Sequence, residues 1–80
     1  MILIVGMKKA ENTNQLLQLG SRVRDLRMKK SLTQVELASK CSLDRNYIGM
    51  LERGERNPSY VTLIKIAQGL GIPLSQLFKL

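Results

Sequence analysis

The side chains best suited to chemistry lie in one stretch, TQVELASKCSLDRNYIGMLERG, from Thr33 to Gly54. Arg45, Asn46 and Tyr47 follow one another there, in front of the apolar Ile48 and Leu51. Arginine offers a planar fork of N–H donors, and the asparagine amide both donates and accepts, so each can grip a base edge with two hydrogen bonds. This is the chemistry of recognition. Covalent chemistry is excluded by what is missing. The chain has no histidine and a single cysteine, so it lacks a Cys–His pair and a usual zinc set. It shows no glycine-rich phosphate loop, and no Ser or Cys beside a base at a recognisable spacing. We expect no catalytic residue, no metal and no cofactor.

Two short helices must hold those residues. The first opens at Thr33 with Glu36 three residues on, a capping box in which the hydroxyl and the carboxylate each take a backbone N–H. Val35, Leu37 and Ala38 are expected to form its buried side. The turn is Cys41-Ser42-Leu43, Asp44 caps the second helix, Ile48 and Leu51 face inward, and Gly54 stops it. Helix, tight turn and helix with a polar first turn is the helix-turn-helix plan. An ordinary αα-hairpin in a bundle satisfies the same apolar pattern.

The flanks complete an all-α chain. Leu16, Leu19, Val23 and Leu26 recur at helical steps between Asn14 and Lys30, with Gly20 lowering the propensity and Lys29 and Lys30 suiting the C-terminal dipole. Leu32, in the Ser31-Leu32 connector, is expected to plug the core. Glu55 to Ser59 is loop, with Ser59 set to cap a helix from Tyr60 to Leu70 whose stripe is Leu63, Ile66, Ala67 and Leu70. Gly71 suits its C-cap, and Pro73 starts a final short helix. The expectation is five helices in one domain, residues 14–80, after an N-terminal arm, residues 1–13. The apolar run Met1 to Val5 reads as a short strand or an unstructured arm, and translation could start at Met1 or Met7.

Size and charge narrow the partners. Eighty residues bury a modest fraction of their surface, which makes dimerisation plausible. A hydrophobic content of 44% supports a core, and a net charge of +7 attracts polyanions, nucleic acid first and an anionic membrane surface second. The basic residues are spread over several helices instead of one amphipathic face, so membrane binding is not expected. No apolar stretch approaches the length of a membrane span, and one cysteine permits no internal disulfide. A reducing cytoplasm fits.

The Thr33-Gln34 opening, the Tyr47-Ile48 pair, the Leu51-Glu52-Arg53-Gly54 block and the Pro58-Ser59 start agree in order and spacing with the Cro/repressor-type, or XRE, helix-turn-helix family. The resemblance covers roughly Leu16 to Phe78. More narrowly, LDRNYIGMLERGERNPS resembles the controller proteins of restriction–modification systems. It implies a compact five-helix lambda-repressor-like domain and a homodimer on a pseudo-palindromic double-stranded DNA operator. Such a protein would regulate its own gene and the endonuclease gene. A phage-type repressor, or an antitoxin-like protein-binding module that also autoregulates, remains an alternative.

The resemblance also implies roles. Gln34 matches a phosphate-anchoring residue, and Arg45 and Asn46 match positions that reach base edges. Tyr47 could touch a phosphate or a thymine methyl, or pack on the scaffold. Met50 matches a base-facing position. Arg53, Arg56 and Asn57 resemble backbone clamps, with Arg22 a further candidate for phosphate. Glu52 would pair with an arginine of the first helix, Arg27 before Arg24. Ser42 departs from the pattern, which has glycine at positive φ in that turn. Cys41 reads as packed and unreactive. Leu74, Leu77, Phe78 and Leu80 are the expected dimer interface. An activator would also need a surface for RNA polymerase, and Glu36 is exposed enough to belong to one, although its capping role explains it equally well.

Overall fold

The computed structural model describes the backbone of residues 2–79 and the side chains of residues 13–79. Helix α1 runs Ile2–Lys29, α2 Gln34–Cys41, α3 Arg45–Glu52 and α4 Tyr60–Leu70, followed by a 3-10 helix, Leu74–Phe78. The described residues contain no strand. The expected fifth helix is therefore a 3-10 turn. Only five residues follow Pro73 before the chain leaves the helix, and Gln76 N–H closes back on the Pro73 carbonyl at 3.0 Å, an i to i+3 bond.

Helix α1 extends across residue 13, where an arm and a domain were expected to meet. The backbone of the apolar run after Met1 is helical, where a strand or an unstructured arm was anticipated. A run of five apolar residues has no periodicity with which to tell the two apart. The side chains of residues 1–12 lie outside those described.

Helices α2, α3 and α4 each start on a side-chain cap. Glu36 N–H donates to Thr33 Oγ1 at 3.1 Å while Thr33 N–H donates to Glu36 Oε1 at 2.8 Å, closing the capping box. The Thr33 N–H first, and then the Thr33 hydroxyl, hold the Glu36 carboxyl below its usual range. Asp44 accepts from Asn46 N–H, and Ser59 from Thr62 N–H, each at 3.2 Å.

The helix ends share one device. Ser31, Ser42, Gly54 and Gly71 follow the four α-helices in turn, each with φ between 55° and 76°. After α1, α2 and α4 the next residue reaches back five positions: Leu32 N–H to the Arg27 carbonyl, Leu43 to Ala38, and Ile72 to Ala67, at 2.9–3.1 Å. Glu55 N–H does the same to Met50 after α3. This is the Schellman closure, which satisfies carbonyls the helix leaves open. Leu32, Leu43 and Ile72 are apolar and lean on the core, so each closure also turns the chain inward.

The core joins α1 (Leu19, Val23, Leu26), α2 (Leu37, Ala38, Cys41), α3 (Ile48, Leu51), α4 (Ile66, Ala67, Leu70) and Leu77 of the 3-10 helix. Val35 is not among them. It is 57% exposed, because two helical steps before Leu37 place it roughly 200° around the helix. Cys41 takes its place on the inward face, its thiol pushed up by burial and its sulfur 3.9 Å from the Ile66 carbonyl.

Gly20 is where α1 meets the end of α3. A Cβ there would come within 2.6 Å of the Glu52 carbonyl oxygen and 2.8 Å of its carbon. These are backbone atoms that cannot swing aside. Helix propensity alone favours alanine over glycine by about 1 kcal/mol. We expect the opposite sign here: Gly20→Ala should lower stability by about 1–3 kcal/mol, the usual scale of overpacking. A urea melt reads this, and a variant at or above wild-type stability would contradict the packing. Conversely, Ser31→Gly and Ser42→Gly should each stabilise by about 1 kcal/mol, since a β-carbon is disfavoured in the left-handed region. Thermal melts showing no rise in either variant would contradict that.

Candidate nucleic-acid interface

The polar residues of α3 are held from behind by one carboxylate. Glu52 Oε2 accepts from Arg27 Nε at 2.7 Å, and Oε1 accepts from Arg27 Nη2 and from Gln34 Nε2, each at 3.1 Å. Arg27 Nη1 donates to the Leu32 carbonyl at 2.8 Å. The Arg27 and Glu52 side chains are only 12% and 4% exposed. One bidentate pair thus ties α1, the connector, the start of α2 and the end of α3 together. Arg24, the other arginine considered for Glu52, is exposed on α1.

In front of this hub lies a cleft of about 300 Å³, lined by Gln34, Arg45, Asn46, Gly49, Met50 and Arg53. The structure therefore brings together four residues proposed for bases or phosphates on α3 and its edge, with Gln34 as the wall from α2. Arg45 and Asn46 are exposed on the first turn of α3, whose backbone Asp44 caps. Met50 is half-buried. Gln34 is not simply a free helix-start residue, because its amide N–H is committed to Glu52.

The other candidates distribute around this surface. Tyr47 is half-buried against the core, and the Arg56 guanidinium lies over its ring at 5.2 Å, a cation–π contact. Arg53 Nε and Nη2 donate to Glu55 at 3.0 and 3.2 Å. That pair holds the Glu55 carboxyl below its usual range, yet both side chains are about half exposed and such pairs contribute little stability. Asn57 is exposed in the loop after α3.

The expectation for Leu77 needs correction, and Arg22 lies elsewhere than the cleft. Arg22 Nε donates to the Gln76 carbonyl at 2.9 Å, and Nη2 lies 3.4 Å from Gln76 Oε1. With these bonds the guanidinium fastens the 3-10 helix to α1. Leu77 is fully buried in its own core and cannot serve a dimer contact. Of the same group, Leu74 is half-buried against the core, Phe78 is 50% exposed, and Leu80 lies outside the described residues. Exposed Tyr60 and Val61, on the first turn of α4, are apolar surface that the helical stripe did not single out. The Gln34–Glu52 bond was also unforeseen, since no sequence spacing relates the two.

Among the described residues no group of His, Cys, Asp or Glu could hold a metal ion. None of the described helices is long and apolar enough to cross a membrane.

Residues 23–77 match the helix-turn-helix family. The chain is similar to control protein C.MunI of a Mycoplasma species, 44% identical over 63 residues, or 78% of this chain and 85% of that protein. It is similar to the crystal structure of the restriction-modification controller protein C.AhdI from Aeromonas hydrophila, with a TM-score of 0.80 and 45% identity over 81% of this chain and 98% of that one. It also matches the controller protein C.Esp1396I, solved as a tetramer with its natural 35 base-pair operator. The TM-score there is 0.75 at 34% identity, over 80% and 84% of the two chains.

The hub sets a prediction. Removing one partner of a buried ion pair leaves the other charge without compensation, at a cost of roughly 3–5 kcal/mol. Glu52→Ala should therefore lose most of the fold's stability. A melting temperature close to wild type in that variant would contradict the assignment.

Proposed function

The chain belongs to the XRE-type helix-turn-helix family, and from that membership we propose that it is a sequence-specific double-stranded DNA-binding transcriptional regulator. In particular, it is a controller protein that regulates its own gene and a restriction endonuclease gene, in the cytoplasm and without chemistry of its own. One observation carries the reading: the capped first turn of α3 presents Arg45 and Asn46 at the mouth of a cleft, with the Glu52 hub bracing it from behind.

In this reading α3 enters the major groove. Arg45 binds guanine O6 and N7, Asn46 pairs with adenine, and Met50 meets a thymine methyl. Tyr47 of α3 carries Arg56 stacked over its ring, and Arg56, Arg53, Asn57 and the α2 start at Gln34 reach the phosphates. Such contacts give register and affinity but little sequence information.

A single α3 reads too few bases for a specific site, so the active form is a homodimer on a pseudo-palindrome, with its two α3 helices roughly 34 Å apart. Exposed Phe78 and half-buried Leu74 are the candidates for that contact. An RNA polymerase contact would add activation to DNA binding. Glu36 keeps an exposed carboxylate on α2, but its bond to Thr33 N–H is a sufficient account of it.

Selection of bound duplexes from a random pool, repeated with Arg45→Ala, tests the proposal. The wild-type chain should recover a pseudo-palindrome matching DNA upstream of its own gene, and the variant should relax it at the guanine positions, where one such pair contributes about 1–3 kcal/mol. Bulk, salt-sensitive binding with no enriched sequence would defeat it.

A further inference from the structure

Gly49 sits in the middle of α3, where glycine is the poorest residue short of proline for holding a helix. Nothing in the fold requires it there. Its φ is not positive. A Cβ built on it would meet no backbone: the nearest atoms are Arg53 Nη1 at 3.3 Å, Gln34 Oε1 at 3.6 Å and Gln34 Nε2 at 3.9 Å, all at the ends of long side chains. This contrasts with Gly20, whose missing side chain the backbone of α3 demands.

Gly49 is also the floor of the cleft, one turn after Arg45 and one turn before Arg53. The bare floor lets the Arg53 guanidinium fold back along α3. Glu55 takes Nε and Nη2 of that group, so the remaining nitrogen, Nη1, is the one turned over Gly49. The cleft then has a guanidinium at each end and no carboxylate in its lining. Glu52 and Glu55 are engaged behind and beside it.

We propose that Gly49 is a positioning residue for DNA recognition: its missing side chain sets Arg53 Nη1 over the cleft, so that a backbone phosphate of the operator seats on Arg53, close against α3, while Arg45 at the other end of the cleft keeps its base edge. This rests on the regulator reading above. A guanidinium nitrogen turned over the cleft and no acidic wall favour a phosphate over a base edge as the occupant at the Arg53 end. The close seat fixes how deeply α3 enters the groove, which is what Arg45 and Asn46 need in order to read bases.

The test uses the full chain and the duplex recovered by site selection, with single neutral methylphosphonates placed along its backbone. Gly49→Ala should melt at or above the wild-type temperature, yet bind that duplex about tenfold more weakly or worse, the loss of a charge-assisted hydrogen bond. In the wild type one methylphosphonate per half-site should cause a similar loss, and in Gly49→Ala that same substitution should add little. Arg53→Gln, at an exposed position, should reproduce the pattern independently of any effect at Gly49. Wild-type affinity in Gly49→Ala and Arg53→Gln would overturn the proposal, as would losses that multiply in full at every phosphate. Coupling of Gly49→Ala to uracil-for-thymine substitution, instead of to a phosphate, would overturn the choice of occupant. A wild-type chain that selects no duplex defeats the regulator reading itself, and does so before any variant is compared.

Discussion

Everything on the recognition face depends on one buried carboxylate. Glu52 ends α3, and its two oxygens take donors from α1 and α2 while Arg27 spans on to the α1–α2 connector. An acidic group on this face is costly twice over, since it leaves water and approaches a polyanion. The bidentate arginine answers both costs. Desolvation cancels much of the attraction within such a pair, so the net contribution to stability is modest even though breaking it is expensive. Its larger consequence is geometric: it sets α3 against the start of α2, and with it the cleft in front.

Helix ends and close approaches supply the remaining constraints. Four short closures with a left-handed residue let 80 residues turn four times without long loops. Two of these residues are serines, so α1 and α2 end under some strain while α3 and α4 end on glycine. Gly20 brings α1 down onto the Leu51 and Glu52 carbonyls, which carries Arg27, two turns on, to the Glu52 side chain. The glycine in α1 and the ion pair are thus parts of one contact.

How much of this was legible beforehand varied with the range of the interaction. Local signals read well: the Thr33–Glu36 box, the Asp44 and Ser59 caps and the Gly71 stop all involve neighbours in sequence. The αL position at Ser42 followed from the family pattern, but Ser31 carried no signal, because serine gives no hint of positive φ. Val35 was misplaced since an eight-residue helix has too few turns to show its inward face. Leu77 was misassigned, and the contact of Arg22 missed, for a different reason. Their partners, Gln76 and the packed core, lie far away along the chain, and charge or apolarity alone does not tell a surface contact from an internal one. The two meanings of glycine at positions 20 and 49 needed coordinates to be told apart.

The central claim is that the Glu52 hub governs how α3 is presented more than how stable the fold is. It is tested most directly by exchanging the pair for apolar residues, Arg27→Met with Glu52→Leu, and measuring the melting temperature and the affinity for the selected duplex together. Apolar replacement of a buried pair is often neutral or stabilising, so the double variant should melt near wild type. With Gln34 deprived of its acceptor and α3 of its brace, specific affinity should fall while bulk, salt-dependent DNA binding persists. Unchanged affinity and unchanged discrimination between specific and random duplexes would contradict the account.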